Sequence, residues 1–292
     1  MISGELKGEI TGVKNWSDLV AVVKDLPPLP VIATRALKLV GDPNCNTKQL
    51  TSLLQKDAAL AARVLKIANS AMYAAQRQIT TLTQAIMIIG FKTLRGIIIA
   101  ATLRQTSRQF GALEKAIWHN SLSTATIAQK LCVLLRKPYA DELFLSGLLH
   151  DLGKIVLLMQ MPMNYTQVIE LVESGKQYYE AENEVFGYNH TLLGALVAKK
   201  WNFSDDACQI MLHHHDPLEL PTNDPIYQKT AIIQLANALS HTLGHGHLGN
   251  YPDLKGEAQI LFQGMGINQQ AAQDFIEEMP TVVVEQMLSL ID

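Results

Sequence analysis

Residues 147–154 read GLLHDLGK, and this stretch decides how the rest of the chain is interpreted. It places two potential metal ligands, His150 and Asp151, side by side in an apolar segment that we predict to be a helix. Such side chains need partners when they are buried, because an unpaired polar group is costly to remove from water. Lys154 follows one helical turn after His150 on the same face, where its ammonium could meet a phosphate. The stretch therefore predicts a buried divalent-metal site suited to phosphate chemistry.

The other histidines supply further candidate ligands. The chain has nine histidines, and several fall where predicted helices should converge, namely His119, His190 and the run His213-His214-His215. Imidazole and carboxylate ligands together suit Fe, Mn, Ni, Zn or Co better than Mg or Ca. One such ion can lower the pKa of a bound water and polarise a phosphoryl oxygen, and two ions can also hold the attacking and leaving oxygens.

Each of these histidines has a plain structural alternative. His119 could be a hydrogen-bonded helix residue, and His190 could bond to backbone at the start of a helix. The run over 213–216 precedes a proline, so it could simply end a helix whose last carbonyl groups favour histidine. We expect one histidine of that run to face the His150 site. Three further histidines are expected in a solvated loop: His241, His245 and His247.

The composition is that of a globular protein, with 48% hydrophobic and 17% charged residues. A formal net charge of −3 gives no electrostatic reason to expect nucleic-acid binding. The cysteines are odd in number and widely scattered, which is typical of reduced thiols in a cytoplasmic protein. Residues 1–10 lack the basic start and apolar core of a signal peptide. The most apolar stretch, 86–103, carries Lys92 and Arg95 near its middle, so we predict two buried helices joined near Gly90 and no membrane span.

Almost every long segment repeats apolar residues at three- and four-residue steps, and no stretch alternates convincingly as a strand. We therefore predict an all-α fold. The predicted units are an extension over 1–25, a helical subdomain over 26–107, a helical core over 108–245 and C-terminal helices packing on it over 246–292. The main predicted helices span 113–136, 141–159, 165–174, 178–185, 190–201, 204–213, 227–241 and 268–278.

Polar residues of the N-terminal segment look structural rather than catalytic. Asn46 or Thr47 can cap the helical run over 46–68, and Gln49 takes the third position of a capping box begun at Asn46. Asp57 is a second candidate cap, which would divide this run into two helices. Asn69 and Ser70 are expected to bond backbone groups at the turn that follows.

Several separated motifs together resemble the HDOD family, the HD-related output domain of bacterial signalling proteins. The resemblance runs from about residue 26 to about residue 238. It is carried by LPPLP at 26–30, KDAAL at 56–60, VLKIANSA at 64–71, TQAI at 83–86 with IG at 89–90, LLHDLGK at 148–154, NHTLLGA at 189–195 with Trp201, and HH at 213–214.

The resemblance implies that residues 108–245 form an HD-domain-like helical bundle with an N-terminal helical subdomain before it. This is the fold of the HD superfamily of metal-dependent phosphohydrolases, whose first metal is held by a histidine, the His-Asp pair and a later aspartate. By resemblance, His119, His150 and Asp151 take the first three positions. The fourth should lie in 233–238, where this chain offers Asn237. A neutral amide is a poorer ligand than a carboxylate, because it brings no charge to offset the ion's dehydration.

A second metal position is implied by the related cyclic-dinucleotide phosphodiesterases. His190 and His213 or His214 resemble its ligands. The Gly-Tyr-Pro signature of those enzymes is missing, and Gly-Tyr-Asn at 187–189 does not replace it. The ligand shell is therefore largely present, but its charge balance is altered.

Two functions follow from these patterns, and Asn237 favours the first. The chain is expected to be a cytoplasmic signalling module without catalysis that acts through a protein partner or a small nucleotide. The alternative is a metal-dependent phosphohydrolase with a divalent Fe, Mn, Ni or Zn ion, in which Asp151 and Lys154 would be catalytic. Nucleotide binding without hydrolysis shares the same pocket. No membrane or nucleic-acid partner is expected, and the patterns do not predict an oligomeric state.

Overall fold

The computed structural model describes residues 16–24, 31–40, 42, 44–69, 78–91, 93–94, 96–98, 111–201, 203–216, 224–249 and 251–291. These residues form helices and no strand, which confirms the predicted all-α fold. The helices are α1 (Trp16–Lys24), α2 (Val31–Val40), α3 (Thr47–Leu54), α4 (Ala58–Ala68), α5 (Leu82–Ile89), α6 (Ala112–Leu134), α7 (Ala140–Leu149), α8 (Leu152–Gln160), α9 (Pro162–Glu173), α10 (Tyr178–Phe186), α11 (His190–Lys200), α12 (Asp205–His213), α13 (Pro225–Thr242), α14 (Lys255–Gly264) and α15 (Gln269–Ile291).

The helices α2 to α5 enclose an apolar core of their own, and the predicted caps shape them. Asn46 and Gln49 form the predicted capping box at the start of α3, and Asp57 accepts from the backbone N–H of Leu60 at the start of α4. The Asn69 side chain bonds the backbone of Ile79 in both directions, at 2.7 and 2.8 Å, and so ties the end of α4 to the segment before α5. Ser70 lies outside the described residues.

Gly90 ends α5 at a φ of +76°, a backbone conformation that glycine adopts without strain. The apolar stretch predicted to break near this glycine does break there. None of the described helices combines the length and the apolar character needed to cross a membrane. Lys92 and Arg95 lie outside the described residues.

The helix α6 lies at the centre of the larger region. Residues 120–128 are buried without interruption, so this helix is covered on every side instead of showing one apolar stripe. Leu122 and Ala125 belong to an apolar cluster formed with α1 and α7 to α12. Ile127 and Ala128 belong to a second cluster formed with α7 and α12 to α15. The polar residues of α6 are therefore held between two rigid cores.

The terminal helices pack on this larger region. Leu19 and Val23 of α1 join the first apolar cluster, and Lys200 donates a hydrogen bond to the Val23 carbonyl at 2.6 Å. Phe262 of α14 and Phe275 of α15 join the second cluster. The predicted boundaries at residues 25 and 107, and the LPPLP motif, lie outside the described residues.

Two predicted helices differ from the observed ones. The helix predicted over 141–159 is interrupted by a turn, because α7 ends at Leu149 and α8 begins at Leu152. The last helix, predicted to end at residue 278, runs through Pro280 to Ile291. Met279 and Val283 on either side of this proline are buried in the second apolar cluster, so packing maintains the helix where the local sequence disfavours it.

Candidate metal centre

The turn between α7 and α8 consists of His150 and Asp151. Glycines of the GLLHDLGK stretch allow the neighbouring helices to approach it closely. A Cβ at Gly147 would lie 2.7 Å from the Ala125 Cα on α6, and a Cβ at Gly153 would lie 2.0 Å from the His190 carbonyl oxygen on α11. These two glycines therefore bring α6 and α11 against the turn, so the motif is a packing device as well as a source of ligands.

The Asp151 carboxylate is the centre of a fully buried cluster. The exposed fraction is 1% or less for Asp151, His150, Lys154 and His190. Oδ2 accepts from Lys154 Nζ and from Asn120 Nδ2, both at 3.0 Å. Oδ1 lies 2.9 Å from the same Lys154 Nζ and 3.4 Å from His190 Nε2. Burial alone would raise the pKa of Asp151, but the Lys154 ammonium beside both of its oxygens holds that pKa well below its usual value.

Three histidines each point their Nε2 atom towards the Asp151 carboxylate. The Nδ1 atoms of His150 and His214 lie 2.7 and 2.8 Å from the backbone carbonyl oxygens of Gly147 and Met211. A carbonyl can only accept, so each Nδ1 carries the proton and each Nε2 presents a lone pair inwards. His190 Nδ1 lies 2.5 Å from a carboxylate oxygen of the buried Glu182, which assigns the same tautomer.

The imidazole nitrogens of α11 and of the segment after α12 converge. His190 Nε2 lies 3.4 Å from His214 Nε2 and 3.1 Å from His215 Nε2. Burial lowers the pKa of both His214 and His215 well below the usual value, and the neighbouring imidazoles lower it further. These rings are therefore neutral, with lone pairs available to a cation.

This arrangement fits a divalent transition metal. Ligand nitrogens bound to one tetrahedral ion at about 2.0–2.1 Å lie about 3.3 Å apart, which matches the spacing of the Nε2 atoms. Two groups of three side chains keep their ligand atoms within 4.8 Å of one another: His190 with His214 and His215, and His150 with Asp151 and His214. The bond from His190 to Glu182 is the outer contact that metal-binding histidines usually make. Among the Fe, Mn, Ni and Zn ions predicted from the sequence, this donor set does not single out one.

The opposite side of Asp151 is built from amides. Asn120 Nδ2 donates to Asn237 Oδ1 at 2.9 Å, and His150 Nε2 lies 3.2 Å from the same Asn237 oxygen. Ser240 Oγ donates to Asn120 Oδ1 at 2.7 Å, which fixes the orientation of the Asn120 amide. The side chain predicted to replace an aspartate ligand is therefore inside the cluster, but its oxygen is engaged by the hydrogen bond from Asn120.

Most of the predicted site residues come together, and two do not. The structure groups His150, Asp151, Lys154, His190, His214 and Asn237. His119 and His213 belong to neither ligand group among the described residues. Adjacent residues of a helix point about 100° apart, and on α6 it is Asn120 that faces Asp151, while the His119 ring lies edge-on to His245. The expected position of His119 next to Asp151 is therefore taken by Asn120.

The helix end explains why His215 was not chosen from the sequence. α12 ends at His213 and a turn follows, in which His214 and His215 both approach His190. Glu182 was also missed, because one glutamate in a polar stretch of α10 gives no signal of burial. Lys154 lies in the centre as predicted, but its ammonium contacts the Asp151 carboxylate.

His241 corrects a further expectation. It was predicted in a solvated loop, yet it lies in the last turn of α13 with an exposed fraction of 5%. Its ring stacks on Tyr251 with centroids 4.3 Å apart. Burial lowers the pKa of His241 well below its usual value, so this ring is neutral in the folded protein. His245 and His247 are half-buried.

The HDOD domain family matches residues 26–217, about two thirds of the chain. This protein therefore belongs to the HDOD family, as its motifs indicated. Among curated proteins, one from Treponema pallidum (strain Nichols) is 21% identical over 197 residues, and the matched segment is 66% of this chain but only 38% of that protein.

Solved structures with the same fold cover most of the chain. A proposed phosphohydrolase from Shewanella amazonensis is 23% identical, with a TM-score of 0.72 over 94% of this chain and 98% of its own. An HDOD domain protein of unknown function from Geobacter sulfurreducens is 24% identical, with the same TM-score and coverage. A proposed signal transduction protein from Marinobacter aquaeolei is 19% identical, with a TM-score of 0.68 over 94% of this chain and 65% of its own.

Proposed function

We propose that this protein is a regulatory module of a bacterial signalling pathway, and that it acts by binding a protein partner or a small nucleotide without hydrolysing a phosphoester. The observation that carries this proposal is the burial of the Asp151 carboxylate and of the histidines on either side of it. A phosphoester must touch the ion or its bound water to be hydrolysed. His150, His190 and Asp151 expose 1% of their surface or less, and of the two ligand groups only His215 is partly exposed. Contact with an ion held against Asp151 would therefore require helices to move apart.

The charges of the centre support the same conclusion. A hydrolase of this fold would need the Asp151 carboxylate for metal and the Lys154 ammonium for phosphate. Here Nζ of Lys154 lies 2.9 and 3.0 Å from the two oxygens of that carboxylate, so each group already neutralises the other. Asn237 brings no charge to a metal. The polar network then acts as a rigid core that holds α6, α8, α11 and α13 in register.

A metal-dependent phosphohydrolase is the second candidate, and one observation favours it. The Nε2 atoms of His190, His214 and His215 converge at the spacing of metal ligands. An ion held there would act as a Lewis acid and lower the pKa of a bound water. In that case Asp151 would position the ion, and Lys154 would have to leave the carboxylate to reach a phosphate.

Turnover of a generic phosphodiester separates the two candidates. Protein purified without an affinity tag is assayed on bis(p-nitrophenyl) phosphate and on a cyclic dinucleotide, with Mn²⁺ or Fe²⁺ added. We expect no turnover above that of the Asp151→Ala variant. Turnover that is abolished by both His150→Ala and Asp151→Ala would overturn the regulatory proposal and establish the hydrolase.

A further inference from the structure

The centre has two chemically different halves that share Asp151. The histidine half consists of His190, His214 and His215, and the amide half consists of Asn120, His150 and Asn237. Oδ1 of Asp151 faces the histidine half, at 3.4 Å from His190 Nε2 and 3.9 Å from His214 Nε2. Oδ2 faces the amide half, at 3.0 Å from Asn120 Nδ2 and 3.3 Å from His150 Nε2.

In the histidine half, the acceptor nitrogens of His190 and His214 face each other. Its Nε2 atoms face one another at 3.1 and 3.4 Å, and the protons of His190 and His214 lie on the far side of the rings, on Nδ1. Oδ1 of Asp151 faces the same nitrogens, and the Lys154 ammonium reaches it from the other side at 2.9 Å. Buried acceptors that converge in this way are costly unless a cation joins them.

The amide half differs, because a hydrogen-bond donor, the Asn120 amide nitrogen, already lies between its acceptors. Nδ2 of Asn120 lies 2.9 Å from Asn237 Oδ1, 3.0 Å from Asp151 Oδ2 and 3.4 Å from His150 Nε2. An amide nitrogen can donate two hydrogens but cannot bind a cation. Ser240 donates to the other end of the same amide, at 2.7 Å, and so prevents a flip that would turn the oxygen inwards.

We propose that the protein binds one divalent transition-metal ion and not two. The ion is held in the histidine half by His190, His214, His215 and Asp151, while the Asn120 amide nitrogen takes the place of a second ion in the amide half. Three acceptors surround that nitrogen as they would surround a metal, and its hydrogens satisfy two of them. This assignment concerns metal binding alone and does not depend on whether the protein turns over a substrate.

Metal stoichiometry tests the proposal, with Co²⁺ as the probe because its absorption spectrum reports its ligands. Metal-free protein is titrated with Co²⁺, and bound metal is counted after gel filtration. We expect close to one ion per chain in the wild type. A ratio near two, or a folded wild type that binds no ion, would overturn the proposal.

Three single variants locate the ion. His215→Ala should abolish the Co²⁺ spectrum, whereas His213→Ala, a change at the neighbouring position outside both ligand groups, should leave the spectrum and the stoichiometry unchanged. Binding that survives His215→Ala but is lost in His150→Ala would place the ion in the amide half and overturn the assignment. Circular dichroism identifies any variant that has unfolded. The number of Co²⁺ ions bound per wild-type chain tests the proposal even if a variant unfolds.

A double variant tests the role given to Asn120. Asn120→Ala with Asn237→Asp removes the amide donor and restores a carboxylate beside His150 and Asp151. We expect the count to rise from about one to about two Co²⁺ ions per chain. A folded double variant that still binds one ion would show that Asn120 does not hold the place of a second ion.

Discussion

The histidine half and the amide half of the centre are built on the same helices, yet they suit different occupants. Both halves use Asp151, and both are buried behind the glycines that draw α6 and α11 to the turn between α7 and α8. In the histidine half, lone pairs converge and leave room for a cation. In the amide half, Asn120 supplies hydrogens to the acceptors.

The comparison teaches that two amides suffice to change which ligand one half of a buried centre can hold. A carboxylate at position 237 would add a charged ligand to His150 and Asp151, whereas the neutral amide lets Asn120 close the half with hydrogen bonds. Lys154 supplies the positive charge that the buried carboxylate needs. A metal ion in the histidine half is therefore compatible with a protein that does not hydrolyse a phosphoester.

The largest effect is expected at Asp151, because both halves depend on it. Asp151→Asn leaves the buried Lys154 ammonium without its counter-charge, and losing one partner of a buried ion pair costs about 3–5 kcal/mol. The free energy of unfolding, measured in urea, should fall by that amount. Adding Lys154→Met should recover most of the loss, because the unpaired charge is then gone. An unchanged denaturation midpoint for Asp151→Asn would contradict this account of the pair.

Glu182 distinguishes the halves, because it contacts only the histidine half. Its carboxylate holds the Nδ1 proton of His190 and also accepts from Tyr165. Changes to such outer contacts usually weaken metal binding about 10–100-fold. We therefore expect Glu182→Gln to raise the Kd for Co²⁺ by that factor. The control is Glu184→Gln, which lies 54% exposed on the same helix and should leave the Kd unchanged. Equal effects of the two changes would refute the role of Glu182.

Gly153 tests whether close helix packing positions the histidine half. A Cβ there would lie 2.0 Å from the His190 carbonyl oxygen and 2.8 Å from its Cα, so Gly153→Ala must push α8 and α11 apart. Overpacking of this kind typically costs about 1–3 kcal/mol. The matched change Gly256→Ala on α14 meets no atom within 4 Å and should be close to neutral. Chemical denaturation of both variants measures the difference, and equal stabilities would argue against the packing role.

The smallest effect is expected from His241, which lies behind the amide half. The pKa of His241 is lowered in the folded protein, so below about pH 6.5 this ring takes up a proton only when the protein unfolds. The free energy of unfolding therefore decreases as the pH is lowered. His214 and His215 contribute in the same direction. One such group accounts for up to about 1.4 kcal/mol per pH unit. His241→Phe should therefore reduce the change in the free energy of unfolding between pH 6.5 and 5, measured in the presence of a metal chelator. An unaltered slope would mean that this ring titrates normally.

The sequence predicted the helices and the motif residues of the centre, but it did not identify every side chain that takes part in the two halves. Regular periodicity located the helices, and the caps at Asn46 and Asp57 were recognised because their interactions are local. His150, Asp151, His190 and Asn237 were placed by motif. Asn120 was missed in favour of His119, because one step along a helix changes the face and the sequence does not set the absolute rotation of α6 against the turn.

The other missed residues depend on long-range packing. The choice of His214 and His215 over His213 depends on where α12 ends, and helix ends are hard to locate within a residue. Glu182 and His241 carry no local sign of burial, since only contacts with distant helices cover them. Pattern reasoning therefore identified the chemistry of the site, while tertiary packing decided which side chains take part in it.

Anomalous diffraction from crystals grown with Zn²⁺ tests the central claim most directly, because it locates each ion without reference to activity. The account predicts one anomalous peak per chain, in the histidine half among His190, His214 and His215. A peak in the amide half between His150 and Asn237, alone or as a second peak, would contradict it.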